Sequence, residues 1–117
     1  MTKFLLLMTE QDHFDRWEQA DEALQARVAT DFEAFTEAVE ARGALVAGEA
    51  LARPDQARTV RPGPDRPVTE GPYAETAEQL GGLWIIDMPG MDEAVAAAAL
   101  LPAEYSVEIR PISQAEG

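Results

Sequence analysis

The 117 residues carry 22 acidic against 9 basic side chains, a formal charge of −13, with 46% hydrophobic residues and no cysteine. A chain of this length builds one hydrophobic core and hence a single domain, 1–117, and the missing thiols exclude disulfides, thiolate nucleophiles and thiolate metal sites, with the cytoplasm as the default compartment. The excess of carboxylates disfavours nucleic acid and anionic membrane surfaces, both of which are held by clustered Lys and Arg.

Residues 3–8 are apolar on both alternating faces, as in a strand covered on both sides, and predict a central strand. Their apolar run is too short for a secretory signal or a membrane span. A short helical turn follows at 12–19, carrying Phe14 and Trp17. Asp21 then caps a longer helix in which Leu24, Val28, Phe32, Phe35 and Val39 recur at steps of three and four, one apolar stripe backed by acidic residues. Arg42 and Gly43 end it, with Gly43 expected to supply a positive φ.

Residues 45–51 read as a second strand interrupted at Gly48-Glu49. Residues 57–61 and 66–69 flank the turn-rich Pro62-Gly63-Pro64-Asp65 and predict an arginine-rich hairpin at an exposed edge. Residues 82–88, with Leu83, Trp84, Ile85 and Ile86 in succession, form a second central strand. Residues 91–101 are a helix, with Met91, Ala94, Val95 and Ala98 toward the core and Pro102 as the stop. Residues 106–112 close the chain as a strand that puts Val107 and Ile109 on one face and Glu108 and Arg110 on the other. The polar tail, 113–117, is expected to fray. Trp17, Trp84 and the four methionines read as core.

Without the hairpin the order is βαββαβ, the ferredoxin-like split unit, and an inserted hairpin adds two strands without disturbing the direction of those that follow. Helices cover only one face of such an α+β sheet, yet Leu5, Leu7, Trp84 and Ile86 make both faces of the central strands apolar. A second copy of the chain is the economical cover, giving a homodimeric α+β barrel.

Chemistry concentrates at residues 69–82, Thr-Glu-Gly-Pro-Tyr-Ala-Glu-Thr-Ala-Glu-Gln-Leu-Gly-Gly. Here carboxylates leave a strand at a Gly-Pro turn that aims side chains off the core. Glu49, Glu70, Glu75, Glu78 and Glu108 form an acidic cluster if this loop folds over the ends of the central strands. Such a cluster suits acid–base work in a partly dry site, with Glu70 and Glu75 as the catalytic candidates and Glu49, Tyr73, Glu108 and Arg110 as binding candidates. The opposing reading is structural: Thr76 and Gln79 fit a helix capping box, and Glu49 can pair with Arg110. His13 reads as a surface loop residue. One histidine and no cysteine leave only oxygen ligands, in no recognisable spacing, so neither a metal nor another cofactor is expected.

The motif Glu70-Gly71-Pro72-Tyr73, with Glu75-Thr76, Glu78-Gln79-Leu80-Gly81-Gly82, Gly48-Glu49-Ala50-Leu51 and Val107-Glu108-Ile109-Arg110-Pro111-Ile112, resembles the DGPF type of the YciI-like (YCII-related) family. The resemblance implies a dimeric ferredoxin-like barrel; one lysine beside eight arginines, with abundant alanine, points to a GC-rich bacterial genome. For function it implies a small-molecule ligand, and either cofactor-free acid–base chemistry of lyase or dehalogenating type or a non-catalytic regulatory module beside an extracytoplasmic-function sigma factor. The histidine–aspartate pair proposed in YciI itself does not transfer, because Glu70 replaces the motif's Asp, Tyr73 its Phe, and His13 matches no family histidine.

Overall fold

A computed structural model describes residues 1–74 and 76–113. Strand β1 (Thr2–Gln11) turns Phe4, Leu6, Met8 and Glu10 inward at alternate positions. Helix α1 (His13–Glu18) follows, then α2 (Glu22–Arg42), β2 (Ala44–Ala50), β3 (Arg58–Val60), β4 (Val68–Glu70), β5 (Glu78–Met88), α3 (Met91–Ala98) and β6 (Ser106–Pro111). Four strands form one antiparallel sheet in the order β2-β5-β1-β6, and β3 pairs only with β4. This mixed α+β arrangement is compatible with a ferredoxin-like fold.

The Asp21 carboxylate accepts the Leu24 N–H at 2.8 Å and starts α2, whose Val28, Phe35 and Val39 are buried. With Ala94, Ala97 and Ala98 of α3 and nearby Leu101, α2 covers Phe4, Leu6, Met8, Ile86 and Met88. Trp84 lies on the same side against Phe32 and Phe35, its indole N–H pointing to the Met8 sulfur at 2.8 Å. The register then fixes the opposite face. Leu5 stands across from Ile85 and Leu7 from Leu83 at its centre, with Glu108 and Arg110 beside them on β6 and Glu49 across from Leu83 on β2. Neither α2 nor α3 packs on this face. The outline is accordingly flat, 47 × 47 × 17 Å, with a radius of gyration of 16.1 Å against roughly 13 Å for a compact chain of this length.

Several expectations change. Trp84 and Ile86 face the helices, so the open apolar face is made by Leu5, Leu7, Leu83 and Ile85. β2 runs without interruption, its irregularity being a bulge between Leu45 and Ala47. Gly43 takes an extended φ of −160°, and its need is space: a Cβ there would stand 1.9 Å from the Asp87 carbonyl oxygen. On α3 the small Ala97 turns inward while Met91 and Val95 are exposed, because the alanine side lets the helix approach the sheet most closely. Trp17 and Met1 are exposed as well. The predicted capping box is absent: β5 starts at Glu78, and the Thr76 hydroxyl donates to the Glu78 carbonyl rather than starting a helix. The arginine hairpin is a separate two-stranded unit instead of an edge of the main sheet. Apart from Ser113, the tail expected to fray lies outside the described residues.

Candidate functional site

The chain leaves β2 at Ala50, crosses to the β3–β4 hairpin and returns to β5 through the Gly71-Pro72 turn, where Gly71 has a φ of 93°. This out-and-back path stands over one end of the open sheet face and borders a half-open cavity of about 1330 Å³. Leu7 and Thr9 of β1, Leu80 of β5 and Ser106 of β6 contribute from the sheet, and Pro72 and Tyr73 from the returning loop. Among the described residues its charged lining is Asp55, Glu70, Glu78, Glu108 and one cation, Arg53. That arginine is engaged elsewhere. Its guanidinium bonds Asp15 at 3.0 Å and Glu18 at 2.6 Å and lies 5.7 Å from the centre of the Phe14 ring.

Of the residues singled out by the sequence, Glu70, Tyr73 and Glu108 line this cavity, whereas Glu49 and Arg110 do not. Arg110 bonds Glu108 on its own strand at 2.6 Å. The alternative pairing of Glu49 with Arg110 is ruled out by topology, since β2 and β6 occupy opposite edges of the sheet. Glu75 lies outside the described residues. The Glu70 side chain is 87% exposed, 3.9 Å from Arg58, and Tyr73 is 80% exposed although it forms part of the wall.

On the helix side of the sheet lies a polar cluster that the sequence reading missed. His13 is the buried first residue of α1 rather than a surface loop residue, and its Nδ1 stands 2.9 Å from the carboxylate of buried Glu10. Arg16 approaches the other Glu10 oxygen at 3.6 Å. Asp12, in the left-handed region at φ 54°, makes the sharp turn that folds the histidine back. The imidazole lies over Gly81, where a Cβ would meet Nε2 at 2.6 Å. Its ring packs 4.8 Å from Phe14 and 5.5 Å from Tyr105. A signal was present: Glu10 continues the two-residue alternation of Phe4, Leu6 and Met8, so a carboxylate points inward three residues before the histidine.

Burial, then the neighbouring Glu10 and Glu104 carboxylates, push the Tyr105 phenol from 10.0 up to about 12. Both effects penalise the phenolate. A raised folded-state value means the native protein keeps its proton longer, so the Tyr105 contribution to stability is complete below pH 10 and is lost as pH rises toward 12. In a Tyr73→Phe background, which leaves one phenol, phenolate absorbance is expected near pH 12. Appearance near pH 10 in the folded protein would contradict the burial.

Among the described residues no group of three or more His, Asp or Glu is placed to hold a metal ion, and no helix is long and apolar enough to cross a membrane. The fold and cavity define a small α+β domain with a half-open cavity at one end of a sheet face whose centre is apolar. The chain belongs to the YCII-related domain family, whose sequence profile matches residues 2–115. It is also 44% identical over 50 residues to a protein of Rhizobium meliloti (strain 1021) described as uncharacterised, an alignment that spans 39% of this chain and 40% of that relative.

Proposed function

We propose that this chain is a homodimer, closed into an α+β barrel across the open sheet faces, and that each protomer binds a small organic molecule in the cavity bordered by Glu70 and the Gly71-Pro72-Tyr73 turn. The observation that carries the reading is the cavity itself. Its volume is above the usual range for small-molecule pockets, as befits one still open to solvent, and it combines apolar walls with a few polar groups. With Arg53 held by two carboxylates, the remaining charged lining is acidic, which favours a ligand bearing an amine or another cationic group. Binding is better supported than turnover. Acid–base catalysis of lyase or dehalogenating type by Glu70 needs a partly dry site, and a single protomer leaves that carboxylate in water.

Thermal-shift screening of small amines tests the reading. An amine present at about a hundred times its Kd stabilises the fold by roughly 2.7 kcal/mol. Against such a ligand, Glu70→Gln is expected to weaken binding about tenfold, the equivalent of ~1.4 kcal/mol, with the melting temperature of the free protein unchanged. Glu70→Asp keeps the charge and should retain most of the affinity. Loss of folding stability in Glu70→Gln with binding intact would make Glu70 a structural anchor instead.

A further inference from the structure

The β3–β4 hairpin has no visible reason to be ordered in a single chain. Among the described residues it pairs with no other strand, and its backbone hydrogen bonds, Arg61 N–H to the Pro67 carbonyl, Arg66 N–H to the Gly63 carbonyl and Gly71 N–H to the Ala57 carbonyl, are internal. An isolated two-stranded hairpin is marginal in water. Val60 and Val68 stand directly opposite each other and are 51% and 60% exposed, so the hairpin presents an apolar pair to solvent.

Its charge is also unlike that of the rest of the chain. Residues 57–70 carry Arg58, Arg61 and Arg66 against Asp65 and Glu70, a net +1; with −13 for the whole chain, the remainder carries −14. That complementarity is unused within one protomer. Arg58 approaches Glu70 in the same hairpin, and Arg61 bonds the Thr69 hydroxyl and the Tyr73 carbonyl. None of the three arginines reaches a carboxylate of the body among the described residues.

We infer that the β3–β4 hairpin is an arm that seats on the acidic body of a second copy of this chain, with Val60 and Val68 covered and Arg58 and Arg66 facing the partner's carboxylates. A nucleic acid or an anionic lipid surface would attract the arm but meet repulsion from everything around it, whereas another copy offers acidic surface to a cationic arm. Seating the arm also bears on the site, because Ala57 and Glu70 at its base belong to the cavity wall. The wall that leaves Tyr73 in water in one protomer is thereby held from outside. The inference rests on the homodimer proposed above and adds a contact that the packing of open faces does not require.

The absence of cysteine makes a direct test clean. Val68→Cys carrying a benzophenone maleimide is photolysed in an equal mixture of isotope-labelled and unlabelled chains, with Ala29→Cys on the outer side of α2 as the control position. Cross-links between labelled and unlabelled peptides, joining residue 68 to body segments, are the expected result. Intramolecular or solvent adducts alone, in a protein that sediments as a dimer, would overturn the arm and leave the dimer standing; a wild-type monomer would remove both. Independently, Arg58→Glu with Arg66→Glu is expected to weaken dimerisation at least tenfold and flatten its salt dependence. An unchanged dissociation constant would count against the arm, and the photolysis stays decisive if the charge-reversed chain fails to fold.

Discussion

Replacing Leu5 and Ile85 together by lysine is expected to turn a dimer at micromolar concentration into a monomer that keeps its fold. The two residues are opposed across β1 and β5 on the open face, and neither lines the cavity. Their side chains are not in the core between sheet and helices, so the protomer loses little when they change. The proposed interface loses much more. Covering a leucine or isoleucine contributes roughly 1.5–3 kcal/mol, and each lysine would bring an unpaired charge into an apolar centre. Symmetry doubles both terms, since every substitution occurs once on each protomer. Dimerisation should therefore be weakened by far more than a thousandfold, and sedimentation velocity across a concentration series reads it directly. Wild-type protein sedimenting as a monomer, or a variant with undiminished self-association, would refute closure across this face. An interface of this kind should bury more than ~1,000 Å².

The second large effect concerns Glu10 and His13. Removing His13 as His13→Ala takes away the hydrogen bond between its Nδ1 and the buried Glu10 carboxylate, leaves Arg16 at 3.6 Å as that carboxylate's cationic neighbour, and opens a space above Gly81. Leaving a buried carboxylate without its hydrogen-bond donor typically costs about 1–3 kcal/mol or more. For a domain whose whole stability is on the order of 5–15 kcal/mol, this should lower the urea midpoint severely and the melting temperature by roughly 10 °C or more. Removing both partners, as Glu10→Met with His13→Phe, should recover much of the loss, because the penalty comes from the stranded charge. Equal losses in the single and double variants would show that the packing of the imidazole on Gly81, Phe14 and Tyr105 matters more than the pair.

Periodicity made most of the scaffold legible. The alternation in residues 3–8 and the apolar run at 82–88 placed β1 and β5 in the middle of the sheet, and the spacing from Val28 to Val39 placed the buried stripe of α2. Local chemistry was less reliable where two patterns fit one segment. Thr76-Ala77-Glu78-Gln79 satisfies a capping box as written, but pairing of Glu78 and Gln79 with Gln11 and Glu10 extends β5 through it. Met91 and Val95 are more apolar than Ala97, yet close approach of α3 to the sheet favours the smaller side chain.

The site divides in the same way. Motif and strand alternation singled out Glu70, Tyr73 and Glu108, which line the cavity near the Gly71-Pro72 turn. The sequence alone thus determined the elements, their order, and which alternate residues share a face. Only the tertiary structure decided that Glu49 and Arg110 sit at opposite edges, that Arg53 is held by Asp15 and Glu18, and that His13 turns under the sheet to Glu10. Periodicity is a property of neighbours along one element and survives without coordinates. Ion pairs are settled by which of many carboxylates lies within a few ångströms of a given cation, and strand order and turn geometry set that distance.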